Sequence, residues 1–227
     1  SEGPQVVDSA DLFRLQRPYG GVACIGPLDS MKITTRGPLE GAGQWTHLYS
    51  NAANTLCSTD GIKGPLTALW YRDVDLELPQ RHGRGPSPLF HDGRLFAQGL
   101  NGLRAVDAYN GRSLWHFEQT GILDAYNADH LSGTAITGSN MCVAGDSVFL
   151  RNKGRCFRID AATGEVKQTY IAPLEKDNKP GNWGYIACED GILFGSLPNT
   201  DHIVRQGYTR ADALMKKQYS ESTIIFA

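Results

Sequence analysis

What this chain can fold into is limited most by a stretch that it writes more than once. "HDGRLFAQGLNGLRAVDAYNGRSLWHF" (His91 to Phe117) aligns without a gap on "AGDSVFLRNKGRCFRIDAATGEVKQTY" (Ala144 to Tyr170). Phe96, Asp107 and Gly111 fall on Phe149, Asp160 and Gly164, each 53 residues further on. A third copy opens at "EDGILFGS" (Glu189 to Ser196), where Asp190-Gly191 and Phe194 match Asp92-Gly93 and Phe96, now 45 residues beyond the second copy.

Each copy has a local physical logic. Asp-Gly or Gly-Asp sets a tight turn before an apolar or alternating strand. Asn-Gly or Lys-Gly then reverses the chain into a second strand, "LRAVDA" or "CFRIDA". The closing Asp can accept N–H groups of the next turn, and Asn110-Gly111 or Thr163-Gly164 supplies that reversal. A further strand follows, "RSLWHF" or "EVKQTY". Four antiparallel strands per period of about 40–50 residues is the pattern of propeller blades. One such sheet cannot bury both faces alone, so neighbours must stack. The expected fold is all-β: a partial β-propeller of about three four-stranded blades, preceded by a short helix–strand tail.

The composition agrees and narrows the partners. With 26 Gly and 11 Pro in 227 residues the chain is rich in turns. A formal net charge of −2 gives no bulk attraction to nucleic acid or to a membrane surface. No apolar run has the length of a membrane span, and "SEGPQVVDSADLF" lacks the charged head and apolar stretch of a signal peptide. Of the cysteines, Cys142, Cys156 and Cys188 sit in apolar strand-like runs. Five is an odd number, and neither C-x-x-C nor zinc-like spacing occurs. The expectation is buried free thiols acting as small hydrophobes, with a disulfide between neighbouring strands as the alternative.

The repeat resembles that of PQQ-like (quinoprotein alcohol dehydrogenase-like) β-propellers, whose pattern is strand, Ala-x-Asp-x-x-Thr/Asn-Gly, strand, Trp. It is written here as Ala105-Val106-Asp107-Ala108-Tyr109-Asn110-Gly111 followed by Leu114-Trp115. The second copy keeps Ile159-Asp160-Ala161-Ala162-Thr163-Gly164 but has Gln168 where Trp would dock, so Tyr170 is expected to pack that interface. "WTHLYSNAANTLCS" (Trp45 to Ser58) and "LTALWYRD" (Leu66 to Asp73) look like the opening of such a propeller, the latter as a strand. The resemblance covers 43–227. It implies that Trp45, Trp70, Trp115 and Trp183 pack between blades rather than forming a ligand floor. Ala227 aligns with Ala105, so the third blade is expected to be cut there. It carries a long insertion before "STIIFA", with a short helix in "TRADALMKKQY". Residues 1–27 form the tail of a preceding module. There a helix bearing Leu12 and Leu15, then Arg17-Pro18-Tyr19-Gly20-Gly21, then a strand from Val22 to Ile25, resembles the late helix–turn–strand of class I methyltransferases.

In quinoprotein enzymes, the resemblance implies, PQQ lies over a Trp floor with Ca²⁺ held by Glu, Asn and Asp, an Asp base, and a vicinal Cys-Cys cap. This sequence has no adjacent cysteines, and no Glu/Asn/Asp set falls in register. The expected cofactor set is none in this fragment, with PQQ and Ca²⁺ the alternative; no metal site is assigned. Asp73, Asp75 and Glu77 alternate, which in a strand puts three carboxylates on one face, for a hard cation or for water. Arg81, His82 and Arg84 stand among glycines before Pro86, a basic loop suited to an anionic group or a partner. Asp124, Asn127, Asp129 and His130 follow in a connecting segment. Asp-x-x-Asn-x-Asp is reminiscent of a calcium loop, but the Gly at position six and the final Glu are missing. No Gly-x-Ser-x-Gly occurs, and His47, His91, His116 and His202 stand isolated, as packing or surface residues. The leading expectation is a non-catalytic scaffold or binding module with a protein or small-ligand partner at its loops. A degenerate portion of a quinoprotein oxidoreductase and the propeller of a methyltransferase fusion are the alternatives. The resemblance favours a periplasmic or secreted location.

Overall fold

The computed structural model describes residues 8–61, 64–73, 75–78, 86–122, 139–175, 178–197 and 224–227. Helix α1 (Ser9–Leu15) starts where Asp8 accepts the Ala10 N–H at 3.0 Å, an ordinary N-cap. It is followed by an antiparallel hairpin of β1 (Val22–Ile25) and β2 (Lys32–Thr35). The helix and first strand are those expected; β2 is additional.

Three further antiparallel sheets follow in chain order. The first is β3 (Leu89–His91), β4 (Arg94–Gln98), β5 (Gly102–Asp107) and β6 (Ser113–Glu118). The second is β7 (Met141–Ala144), β8 (Ser147–Asn152), β9 (Arg155–Asp160) and β10 (Val166–Ile171). The third, among described residues, has three strands: β11 (Ile186–Glu189), β12 (Ile192–Leu197) and β13 (Ile224–Phe226). Strands neighbour one another in sequence order in every sheet, and within the first two four-stranded sheets each connecting turn is short. Asp92-Gly93 and Asp190-Gly191 both hold positive φ (45° and 73°, 49° and 77°). That is the primed turn whose twist suits a hairpin.

The copies match in detail. The β5–β6 register shifts beside Leu114 and the β9–β10 register shifts beside Lys167, so a bulge recurs 53 residues on. Phe226 stands opposite Gly195 as Arg104 stands opposite Ala97, which carries the alignment across the insertion. The helix expected at 209–219 lies outside the described residues.

Strand alternation explains why the sheets stack. In the middle sheet Met141, Val143, Val148, Leu150, Phe157 and Ile159 join a core shared with Leu89, Phe96, Leu103 and Trp115 of the first sheet. The intervening Cys142, Phe149 and Cys156 face a second core with Ile186 and Leu197 of the third and with Trp183, which precedes it. A period of two thus buries both faces of one sheet. Phe96 is fully buried against the second sheet and Phe149 against the third, whereas Phe194 is 37% exposed. The first strands β3, β7 and β11 converge, so they line the shared centre. This is a partial β-propeller.

Two expectations change. Leu66 to Asp73 is not a strand: Trp70 Nε1 donates to Ala108 O at 2.8 Å and Arg72 Nη1 to Gly111 O at 2.8 Å. Side chains, not a backbone ladder, fasten this segment to the first blade. Asp73, Asp75 and Glu77 therefore do not share a strand face. Asp75 is left-handed (φ 53°) and gives its N–H to Asp73 Oδ1, a local Asx turn. Asp75 pairs with Arg72 and Glu77 with Asn101 instead.

Candidate functional site

The chemistry-bearing residues of the repeat meet at the outer turns. Asp107 is fully buried, and its carboxylate accepts the Tyr109 N–H at 2.9 Å and Asn110 Nδ2 at 3.1 Å while facing the Arg17 guanidinium. Arg17 belongs to the tail, so the tail is docked on the first blade by a charge-assisted contact. Tyr19 adds to this by lying over Gly93 and stacking on Tyr109 with centroids 6.3 Å apart. In the second blade Asp160 accepts the Ala162 and Thr163 N–H groups at 2.8 and 2.9 Å and pairs with Lys167 at 2.7 Å. Hydrogen bonding from Lys167, then from those backbone groups, holds its carboxyl well below the usual range. Lys167 also bonds Asp146, whose pKa falls to about 2, chiefly for that reason and with help from Ser147.

Against each of these turns an indole is seated. Trp70 lies over Gly111, and Trp115 over Gly164 with its Nε1 donating to Ala161 O at 3.1 Å. A Cβ built on Gly111 would stand 2.6 Å from the Trp70 ring, and one on Gly164 2.8 Å from the Trp115 ring. Trp115 belongs to the first blade and Gly164 to the second, so this tryptophan packs between blades as expected. Trp45 leans on the first shared core, and Trp183 makes an edge contact at 4.8 Å with Phe226 inside the second. The Gln168 side of β10 is exposed, and Tyr170 sits 6.5 Å from Phe149 at the edge of the second core.

The centre holds an arrangement that the sequence reading missed. Phe90, Val143 and Cys188 are equivalent positions of β3, β7 and β11, 53 and 45 residues apart. Their N–H groups are taken by three consecutive residues. Trp45 exchanges two backbone bonds with Phe90 at 2.9 Å, Thr46 O accepts from Val143 at 2.8 Å, and His47 Nε2 accepts from Cys188 at 3.1 Å. His47 is 2% exposed, and desolvation carries its pKa down to about 4. The imidazole is therefore neutral, with Nδ1 set against Thr46 Oγ1 at 2.9 Å. Only the 53- and 45-residue offsets foreshadow this strap; Trp-Thr-His has no spacing signal of its own.

All five cysteines are free, with Cys142, Cys156 and Cys188 buried and Cys24 and Cys57 exposed. Burial pushes the Cys156 thiol up to about 12 and raises Cys142 and Cys188. Two of the concavities among the described residues bear on the site. One of about 410 Å³ lies between Glu40, Asp60, Phe90, Leu95 and Tyr109. Desolvation raises the Tyr109 phenol there, and hydrogen bonds from Ser58 and Gly43 lower Asp60. The other, of about 650 Å³, lies between the second and third sheets beside Arg158, Trp183 and Phe226.

Arg81, His82, Arg84, Asp124, Asn127, Asp129 and His130 lie outside the described residues. Among the described residues no three His, Cys, Asp or Glu side chains come together as metal ligands, and no helix is long and apolar enough to cross a membrane. His47 is a packing residue, as expected, while His91 links blades by placing Nε2 3.0 Å from Gly145 O.

No protein-family model and no curated protein matches this chain. Solved structures do. The quinohemoprotein alcohol dehydrogenase ADHIIG of Pseudomonas putida HK5 is 15% identical with a TM-score of 0.45, over 68% of this chain and 23% of its own. BamB from Moraxella catarrhalis is 14% identical with a TM-score of 0.35, over 48% and 32%. A europium-containing methanol dehydrogenase is 18% identical with a TM-score of 0.36, over 51% and 26%. The chain thus spans a third or less of the length of these similar structures.

Proposed function

We propose that this chain is a non-catalytic scaffold or binding module of the PQQ-like repeat type, presenting loops at the propeller ends to a protein or small-ligand partner rather than to nucleic acid. One observation carries the reading. The polar and aromatic residues that recur are committed to holding the propeller: Asp107 and Asp160 to their turns, Trp70 and Trp115 to Gly111 and Gly164. Fold alone assigns no activity. The basic loop of Arg81, His82 and Arg84 is the leading partner contact, with Asp124, Asn127, Asp129 and His130 beside it in the reading. A quinone with Ca²⁺ needs a Trp floor and a convergent Glu/Asn/Asp set. The four tryptophans are engaged in packing, so the reading assigns no such cofactor here. Residues 43–227 form the propeller unit and 1–27 belong to a preceding module. A periplasmic or secreted location goes with the family resemblance.

Two assays on the intact protein test this. Titration with PQQ and Ca²⁺ is expected to give neither saturable tryptophan quenching nor dye reduction with alcohols. Saturable quenching with turnover overturns the reading in favour of the oxidoreductase. In the second assay, a partner captured by the wild type is released by the Arg81→Ala/Arg84→Ala variant at unchanged Tm. Capture indifferent to both substitutions removes the basic loop from the proposal.

A further inference from the structure

A run of three neighbours, Trp45, Thr46 and His47, satisfies one backbone donor on each of three successive innermost strands. The first two contacts are backbone to backbone and carry no titrating group. The third runs through an imidazole nitrogen. We propose that Trp45 to Ser50 is an acid-releasable strap, fastened across the three blades at neutral pH and unfastened from β11 when His47 gains a proton.

The chemistry follows from the tautomer. A neutral imidazole that accepts at Nε2 carries its hydrogen on Nδ1, which suits the Thr46 hydroxyl at 2.9 Å. A second proton goes to Nε2 and turns the acceptor into a donor. Two N–H groups then face each other where Nε2 and the Cys188 nitrogen stand 3.1 Å apart. The site is buried, so water cannot restore the bond in place. The imidazolium reaches solvent only if the strap lifts from β11.

The surroundings supply no counter-charge among the described residues. On the strap, Thr46 and Ser50 are neutral, and the Ser50 N–H and C=O tie its two arms together. On β11 the titratable neighbours are the Cys188 thiol and, one residue on, the exposed Glu189. On β7 the Cys142 thiol lies against the Cys188 backbone. Burial raises both thiols, so they stay protonated through the acid range. On β3 the nearest imidazole is His91, engaged with Gly145 O and the Asp92 carboxylate. It serves as the control in the test below.

Amide hydrogen exchange resolved at Cys188, corrected for intrinsic rates, tests the strap. In the wild type the Cys188 amide is expected to lose protection at least tenfold between pH 7 and pH 4, while the Val148 amide inside the second sheet does not. His47→Gln keeps an acceptor in reach of the amide and never protonates, so its loss is expected to stay below twofold. His91→Gln is expected to behave as the wild type. Unchanged Cys188 protection in the wild type overturns the proposal, as does the same loss in His47→Gln or its abolition by His91→Gln. Should His47→Gln fail to fold, the wild-type imidazole is titrated by NMR. A midpoint below about 5 supports the strap, and a midpoint near 6.5, the ordinary value, overturns it.

Discussion

At Gly164 a single hydrogen atom decides whether two blades can meet. Its φ is +80°, and the Trp115 ring occupies the space where a Cβ would go. Gly164→Ala therefore combines backbone strain with a clash against a buried ring, and a loss of roughly 2–4 kcal/mol in urea unfolding is expected. An unchanged midpoint would show that the indole sits elsewhere. Trp115 separates its own contributions. Trp115→Phe keeps the ring contact with Phe96 at 5.9 Å and loses the bond to Ala161 O, for about 1 kcal/mol. Trp115→Ala empties the site, for about 3–5 kcal/mol. His47 makes the pH dependence. Its folded pKa of about 4 lies below its ordinary 6.5, so the unfolded chain binds more protons between those values. Stability is thus full above pH 6.5 and falls as the pH drops toward 4, by on the order of 3 kcal/mol in total. His47→Gln should flatten that part of the urea-midpoint profile. Asp146 and Asp160 act in the same direction at lower pH, because their depressed carboxyls lose their Lys167 contact only on protonation.

Among the elements, turns and strands were legible because their signals are local. Asp92-Gly93 and Asp190-Gly191 demand positive φ, and Asp107 and Asp160 cap the turns that follow them. Leu66 to Asp73 was misread for an equally clear reason. It looks like the opening strand of such a propeller, but Trp70 and Arg72 reach the first blade through side chains, which a strand pattern does not register. The thiols report on the same elements. Cys142, Cys156 and Cys188 lie on the inward faces of β7, β9 and β11. A thiol reagent at pH 8 should label two cysteines rapidly in the folded protein and all five in denaturant. Rapid labelling of a third would place one of those strands at the surface.

On the scale of the whole molecule, the sequence carried the stacking and missed the fastening. Repeated phenylalanines imply sheets facing their neighbours, and Phe96 and Phe149 do so. The strap at the centre and the docking of Arg17 on Asp107 join residues 90 or more positions apart, apart from Trp45 on Phe90. No local pattern encodes such contacts. The loop residues from Arg81 to Arg84 and from Asp124 to His130 rest on sequence alone. The account stands on blades stacked face to face, and an NOE spectrum of indole-labelled protein measures that contact directly. It should show cross-peaks from Trp115 indole protons to the α protons of Gly164, with those α resonances shifted upfield by the ring. Trp115 peaks confined to residues 89–118, with unshifted Gly164 resonances, would contradict the stacked arrangement.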